Sequence, residues 1–117
     1  MKPAQLKPLI PPELLNQIDM RVGTILSVND VADSEKLVAL EVNFGDHKRT
    51  VLVGMKRERA DPREIQGKQA LFVVNLTPRK MAGMVSEGML FDIGHLDGIT
   101  PVLAIPEAHV PDGTRAG

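Results

Sequence analysis

The chain has 117 residues, 43% hydrophobic and 25% charged, with a formal net charge of −1, the length and balance of one soluble globular domain. It contains no cysteine, which excludes disulfides, thiolate zinc sites and thiol catalysis and fits a reducing, cytoplasmic setting. No run approaches the ~18 apolar residues of a membrane span, and Met1 to Pro12, punctuated by four prolines, has no signal-peptide pattern.

Residues 1–17 read as an N-terminal extension, with a short helix at Pro11 to Gln17 where proline and Glu13 suit a first turn. Residues 18–117 form the domain proper. From Ile18 the period becomes two: Met20, Val22, Leu26 and Val28 fall on one face, although Ile25 breaks the alternation. Asn29 to Lys36 is a polar connection. Leu37 to Phe44 alternates again, and Gly45-Asp46-His47 turns it into Lys48 to Val53. Asp61-Pro62-Arg63-Glu64-Ile65 predicts one helical turn, with Asp61 as N-cap and Gly67 as its stop.

Ala70 to Val74 is a continuous apolar strand and Gly88 to Ile93 another, followed by Ile99 to Ile105 and an irregular tail. The predicted class is all-β, five strands with a short helix between the third and fourth: the order of an oligonucleotide-binding (OB) barrel, which strand count alone does not distinguish from other small barrels. An N-terminal helix precedes the barrel and a β extension follows it.

Charge is unevenly distributed. Residues 48–80 carry nine cations against three acids, whereas the flanking segments are net acidic; a local field of that kind attracts a polyanion even when the net charge is negative. Aromatic residues are scarce. Phe44, Phe72 and Phe91 all lie in apolar runs and read as core, so stacking of single-stranded bases is disfavoured. The competing reading of the charge pattern is an ordinary solvated surface; if nucleic acid is the partner, folded RNA, met through shape, phosphates and 2′-hydroxyls, is the better match.

The most informative segment is Asn75 to Met89, a loop carrying a proline, two adjacent cations, two glycines and a serine between two strands. With it go Asp19-Met20-Arg21-Val22-Gly23-Thr24-Ile25 and Ser34-Glu35-Lys36-Leu37. Together these resemble the tRNA-binding domain of CsaA-type proteins, of the C-terminus of many methionyl-tRNA synthetases and of cytokine-like synthetase cofactors. Asn75-Leu76-x-Pro78-Arg79-Lys80-x-x-Gly83-x-x-Ser86-Glu87-Gly88-Met89 is similar to that family's most specific signature nearly position for position. The chain departs from the family at Asp33-Ser34-Glu35, where Asn-Ala-Asp is usual. It departs again at Lys56 to Ala60, which is more basic and lacks a tyrosine. The resemblance implies an OB barrel that binds tRNA by shape and phosphate contacts, homodimeric when it stands alone, and in one branch an export-related chaperone.

Within that frame Arg79 and Lys80 are expected to engage neighbouring phosphates, Arg as a fork and Lys as a point charge. Lys36 borders the same face, with a salt bridge to its neighbouring acids as the competing role. Asn75 either caps the turn after Val74 or bonds a base or ribose. Ser86 offers a hydroxyl to phosphate or to its own backbone. Met89 reads as core, and at a barrel mouth its thioether packs on a base. Arg49 and Arg57 extend the basic surface.

Enzyme chemistry finds no support. His47, His95 and His109 occur singly, without metal-ligand spacing, and neither a nucleophile elbow nor a phosphate-binding Gly-Lys-Ser/Thr loop is present. No cofactor or metal is expected. The alternative reading is a binder of unfolded or secretory polypeptides through Met81, Met84 and Met89, and a third is delivery of tRNA to a partner aminoacyl-tRNA synthetase.

Overall fold

The computed structural model describes residues 2–117. Its elements in chain order are α1 (Pro12–Leu15), β1 (Met20–Asp30), β2 (Val38–Asn43), β3 (Lys48–Val53), a 3₁₀ turn at Pro62–Ile65 and β4 (Gln69–Val73). They continue with β5 (Arg79–Met81), β6 (Met84–Ser86), β7 (Met89–Leu90), β8 (Asp92–Ile93), a second 3₁₀ turn at His95–Asp97, β9 (Val102–Leu103) and β10 (Arg115–Ala116). The class is all-β and OB-like, with a main sheet ordered β3-β2-β1-β4-β7 and β10 added beside β1.

β1 organises the sheet because it is long enough to serve several neighbours. Its first half pairs with β4, Met20 opposite Val73, and with β10, Arg21 opposite Arg115; its second half pairs with β2 as far as Asp30 opposite Val38. A bulge between Ile25 and Ser27 joins the halves. It resolves the broken alternation in the sequence: Val22, Ile25 and Val28 are buried, and Leu26 turns to solvent instead of joining the core face as expected. One inserted residue shifts the period by one and increases local twist, which curls the sheet. The backbone of Ile25 is met by the loop after the first 3₁₀ turn, Gly67 N donating to its carbonyl at 2.7 Å and its own N–H donating to Lys68 O at 2.9 Å.

The hairpin β2–β3 follows its sequence signals, turning at Gly45 with φ 98° and running in register from Asn43 opposite Lys48 to Val38 opposite Val53. Asp61 accepts from Arg63 N at 3.1 Å, as the capping pattern predicts, and Ile65 from that turn is fully buried. The core gathers Ile25, Leu40, Val42, Val51, Ile65 and Phe72, with Phe44 set edge-on to Phe72 at a centroid distance of 5.5 Å. A smaller cluster on the other side of β2 holds Val31, Leu37, Ala39 and Leu52, with Met81 packed against it.

The strand expected over Gly88 to Ile93 is two short strands, β7 pairing with β4 and β8 with β9. In β7 only Leu90 faces the core. Met89 and Phe91, one residue to either side, are 46% and 42% exposed, which corrects their reading as core residues; period-two geometry turns them outward together. The predicted N-terminal helix is a single exposed turn. Among the described residues, no helix is long and apolar enough to cross a membrane.

Gly23 sits where β1 passes under Phe44. An added Cβ would lie 2.6 Å from Val42 Cγ1 and 2.8 Å from Phe44 Cε1. Gly23→Ala should therefore cost about 1–3 kcal/mol by overpacking, read as a lower urea midpoint with an unchanged m-value; an unaltered midpoint would show that the core yields there.

Candidate nucleic-acid interface

The signature segment is more ordered than the loop read from its sequence. β5 and β6 form a hairpin in which Arg79 lies opposite Ser86, Lys80 opposite Val85 and Met81 opposite Met84. The two turn residues, Ala82 (φ 49°) and Gly83 (φ 79°), are both left-handed, the requirement of a two-residue hairpin turn. Glycine adopts that conformation freely, whereas Ala82 carries about 1–2 kcal/mol of backbone strain.

Directly paired residues share a face. Arg79, Met81, Met84 and Ser86 therefore line the side turned toward β3, with Lys80 and Val85 on the other. The expectation that Arg79 and Lys80 address adjacent phosphates side by side is corrected by strand geometry, since successive side chains point oppositely. Both cations are exposed, and neither is engaged in an ion pair among the described residues.

Ser86 is only 5% exposed. Its Oγ accepts from Leu52 N at 3.0 Å and its hydroxyl donates to Gly88 O at 3.0 Å, so its hydrogen-bonding capacity is committed within the fold and not offered to a ligand. Glu87 works beside it: its N–H donates to Thr50 O at 2.9 Å and its Oε1 accepts from Thr50 N at 3.2 Å. These bonds join the free edge of β3 to the foot of the hairpin and bring the two ends of the sheet together.

Asn75 does not cap the turn after Val74 as expected; its amide serves a long-range structural tie. Its Oδ1 accepts from Asp19 N at 2.8 Å and its Nδ2 donates to Gln17 O at 2.7 Å, tying the end of β4 to the segment before β1. The Asp19 carboxyl is held below the usual carboxylate range, first by its hydrogen bond from Arg21, with Arg115 adding a second cation and partial burial opposing.

Lys36 is exposed on the β1–β2 connection, where Ser34 Oγ accepts from Lys36 N at 3.2 Å and Leu37 N at 3.0 Å. Leu37 is part of the apolar cluster against which Met81 packs, so the Lys36 loop and the hairpin share that cluster. Lys56, which the sequence reading assigned no individual role, holds that loop: its Nζ donates to Val31 O at 3.0 Å and Ser34 O at 2.6 Å and pairs with Asp30. Its only sequence signal was membership in a basic run.

The remaining cations divide. Arg49 is half-buried, and its guanidinium is occupied by the carbonyls of Val74 and Glu87 and by His47; its assignment to the basic surface is corrected. Arg57 is exposed and pairs with Glu35 at 3.1 Å, a surface contact worth ~0–1 kcal/mol. Met89 lies on the outward face of β7.

The hairpin with its flanking strands falls inside a longer correspondence. Residues 20–115 match the family model described as "Putative tRNA binding domain". The chain belongs to the tRNA-binding domain family. It is 39% identical over 99 residues to the methionine–tRNA ligase of Parabacteroides distasonis, an alignment covering 85% of this chain and 14% of that enzyme. This tRNA-binding domain thus spans about a seventh of the length of the ligases it matches. Among solved structures, the MetRS-related protein of Pyrococcus horikoshii superposes with a TM-score of 0.86 at 32% identity, covering 95% of this chain and all of that one. The chaperone CsaA of Bacillus anthracis superposes with a TM-score of 0.81 at 25% identity, over 94% of this chain and all of the other.

In this tRNA-binding domain the buried serine of the signature serves the barrel. Ser86→Ala leaves Leu52 N without its acceptor and should lower stability by about 1–3 kcal/mol, measured by urea unfolding. A variant as stable as the wild type would release Ser86 from that structural role.

Proposed function

We propose that this chain is a non-catalytic module that grips folded tRNA by shape and phosphate contacts, acting in the cytoplasm as a homodimer. The observation that carries the proposal is that the Lys36 loop and the β5–β6 hairpin share one apolar cluster, Leu37 as a member and Met81 packed against it. It gathers Lys36, Arg79 and Lys80 around one hairpin, Arg79 and Lys80 on its opposite faces, while much of the other positive charge is consumed inside the protein. Fixed cations on a fixed frame match the fixed phosphate spacing of a folded RNA. In this reading Lys80, Arg79 and Lys36 carry the principal contacts, Arg57 joins them by leaving Glu35, and Met89 supplies an outward-facing apolar side chain for a base. Asn75, Ser86 and Arg49 hold the frame. The similarity to methionine–tRNA ligases suits a module whose RNA partner is tRNA, supplied to a synthetase or bound alone.

Homodimerisation is supported by apolar side chains with nothing to cover them in one copy, among them Leu9 at 98% exposure and Leu96 at 86%. Phe91 and Leu96 line one open groove, a contiguous apolar surface of the kind partners cover, and a second copy is the occupant proposed. Two such groups of cations would then bind one RNA with greater avidity than either alone. A second reading, binding of unfolded polypeptides, rests on the exposed Met84, Met89 and Phe91 and on the likeness to the CsaA chaperone.

Filter binding with tRNA and with duplex DNA of equal charge tests the proposal: tRNA should bind more tightly, and equal affinities would refute recognition by shape. Lys80→Ala should flatten the dependence of log K on log salt by about one unit without altering stability.

A further inference from the structure

We propose that Arg49 and His47 form a proton-sensitive latch that positions the β5–β6 hairpin. Arg49 stands on β3, and its Nη1 donates to Val74 O and, at 3.1 Å, to Glu87 O. Val74 immediately precedes the hairpin segment Asn75–Glu87 and Glu87 ends it. One guanidinium therefore clasps both feet of the element that presents Arg79 and Lys80.

The third contact makes the clasp sensitive to protons. Arg49 Nε donates to His47 Nε2 at 3.0 Å. Arginine is only ever a donor, so Nε2 holds a lone pair and the ring proton sits on Nδ1, 2.6 Å from Asp46 Oδ1. The ring is stacked on Phe44 at a centroid distance of 5.7 Å, which restricts its rotation to a different partner. A second proton on the ring must go to Nε2, where it faces the Arg49 N–H. That places donor against donor and cation against cation.

The other charges around the pair favour loss of the Arg49 contact over loss of the Asp46 contact. Asp46 is held ionised, its carboxyl kept below the usual range first by the His47 hydrogen bond, with Arg21 contributing at longer range. Arg21 on β1 is itself engaged with Asp19. Glu87, at the hairpin foot, has its carboxylate bonded to Thr50 N, and Lys48, between the two latch residues in sequence, adds only further positive charge. Protonated His47 therefore stays with Asp46 and repels Arg49, and the feet of the hairpin lose their bridge. The geometric latch stands on the structure alone; its effect on RNA rests on the function proposed above.

Amide hydrogen exchange across Lys80–Ser86, corrected for intrinsic pH dependence, reads the latch in the intact chain without RNA. Between pH 7.5 and 5.5, the range in which histidine changes charge, wild-type hairpin amides should become about five- to tenfold less protected, the equivalent of one net hydrogen bond. His47→Gln keeps an acceptor at the Nε2 position and does not titrate, so its protection should stay level. Arg49→Lys, which cannot span both carbonyls, should lower protection at both pH values. Coincident pH profiles for wild type and His47→Gln would overturn the latch. tRNA affinity measured on the same samples separates the two readings. A parallel loss of affinity in wild type alone supports both, and loosening of the hairpin with unchanged tRNA affinity upholds the latch while removing the hairpin from the RNA contact.

Discussion

The contact on which the rest depends is the junction between β3 and the foot of the β5–β6 hairpin. An open sheet leaves a row of backbone donors on its edge strand, and here that edge is β3. Leu52 N and Thr50 N are met by side-chain oxygens of Ser86 and Glu87, and Thr50 O receives the Glu87 amide. A buried amide left unpaired costs about 1–3 kcal/mol, so Ser86 and Glu87 are fixed by the need to close the sheet. That same closure fixes the hairpin's place on the surface. The residues that reach outward and those that hold them are thus interleaved within one short segment.

Electrostatics follow the same division of labour. Of the cations between residues 48 and 80, Lys56, Arg49 and Arg59 are engaged by acids, carbonyls or an imidazole and act as clamps. Their charge is largely spent within the fold, so the basic excess counted along the sequence overstates what a polyanion meets. Clamping sharpens the remaining field. Lys36 depends on a loop gripped by Lys56, and Lys80 on a hairpin whose feet are gripped by Arg49. A flexible cation must surrender conformational freedom on binding, commonly ~0.5–1.5 kcal/mol for each rotamer-rich side chain ordered. Fixing the backbone beneath the side chain removes the additional cost of ordering the loop.

How far the sequence led can be judged residue by residue. Alternation in Leu37 to Phe44, the Gly45 turn and the Asp61-Pro62 cap were legible because each depends on local conformational preference alone. Leu26 was misassigned because a bulge depends on two partner strands that a single-sequence pattern does not contain. Ser86 was left between two roles and Arg49 was misread for a related reason: serine and arginine are chemically suited both to ligands and to orphaned backbone groups, and only the fold shows which lies nearby. Arg79 and Lys80 looked like a paired anchor while their segment was taken as a loop. Once the segment is a hairpin, the pleat separates them. The resemblance identified the segment correctly, yet it could not say which of its residues touch the outside.

The separation of Arg79 from Lys80 bears on what such a group of cations can read. Adjacent cations pointing the same way would suit consecutive phosphates of any single strand. Cations on opposite faces of one hairpin instead address two different directions, and Lys36 lies beside the apolar cluster against which Met81 of that hairpin packs. A partner that engages all three must bring separate stretches of backbone to one small protein surface. Extended single strands do not do this, and a regular duplex does so only at the spacing set by its grooves. A folded RNA, in which distant segments are held together by tertiary structure, presents such convergent phosphates. The scarcity of exposed aromatic rings points the same way, since Phe44 and Phe72 are buried and Phe91 alone among the phenylalanines reaches solvent. In the function proposed above, with little ring surface to stack on, discrimination would fall to the placement of charge.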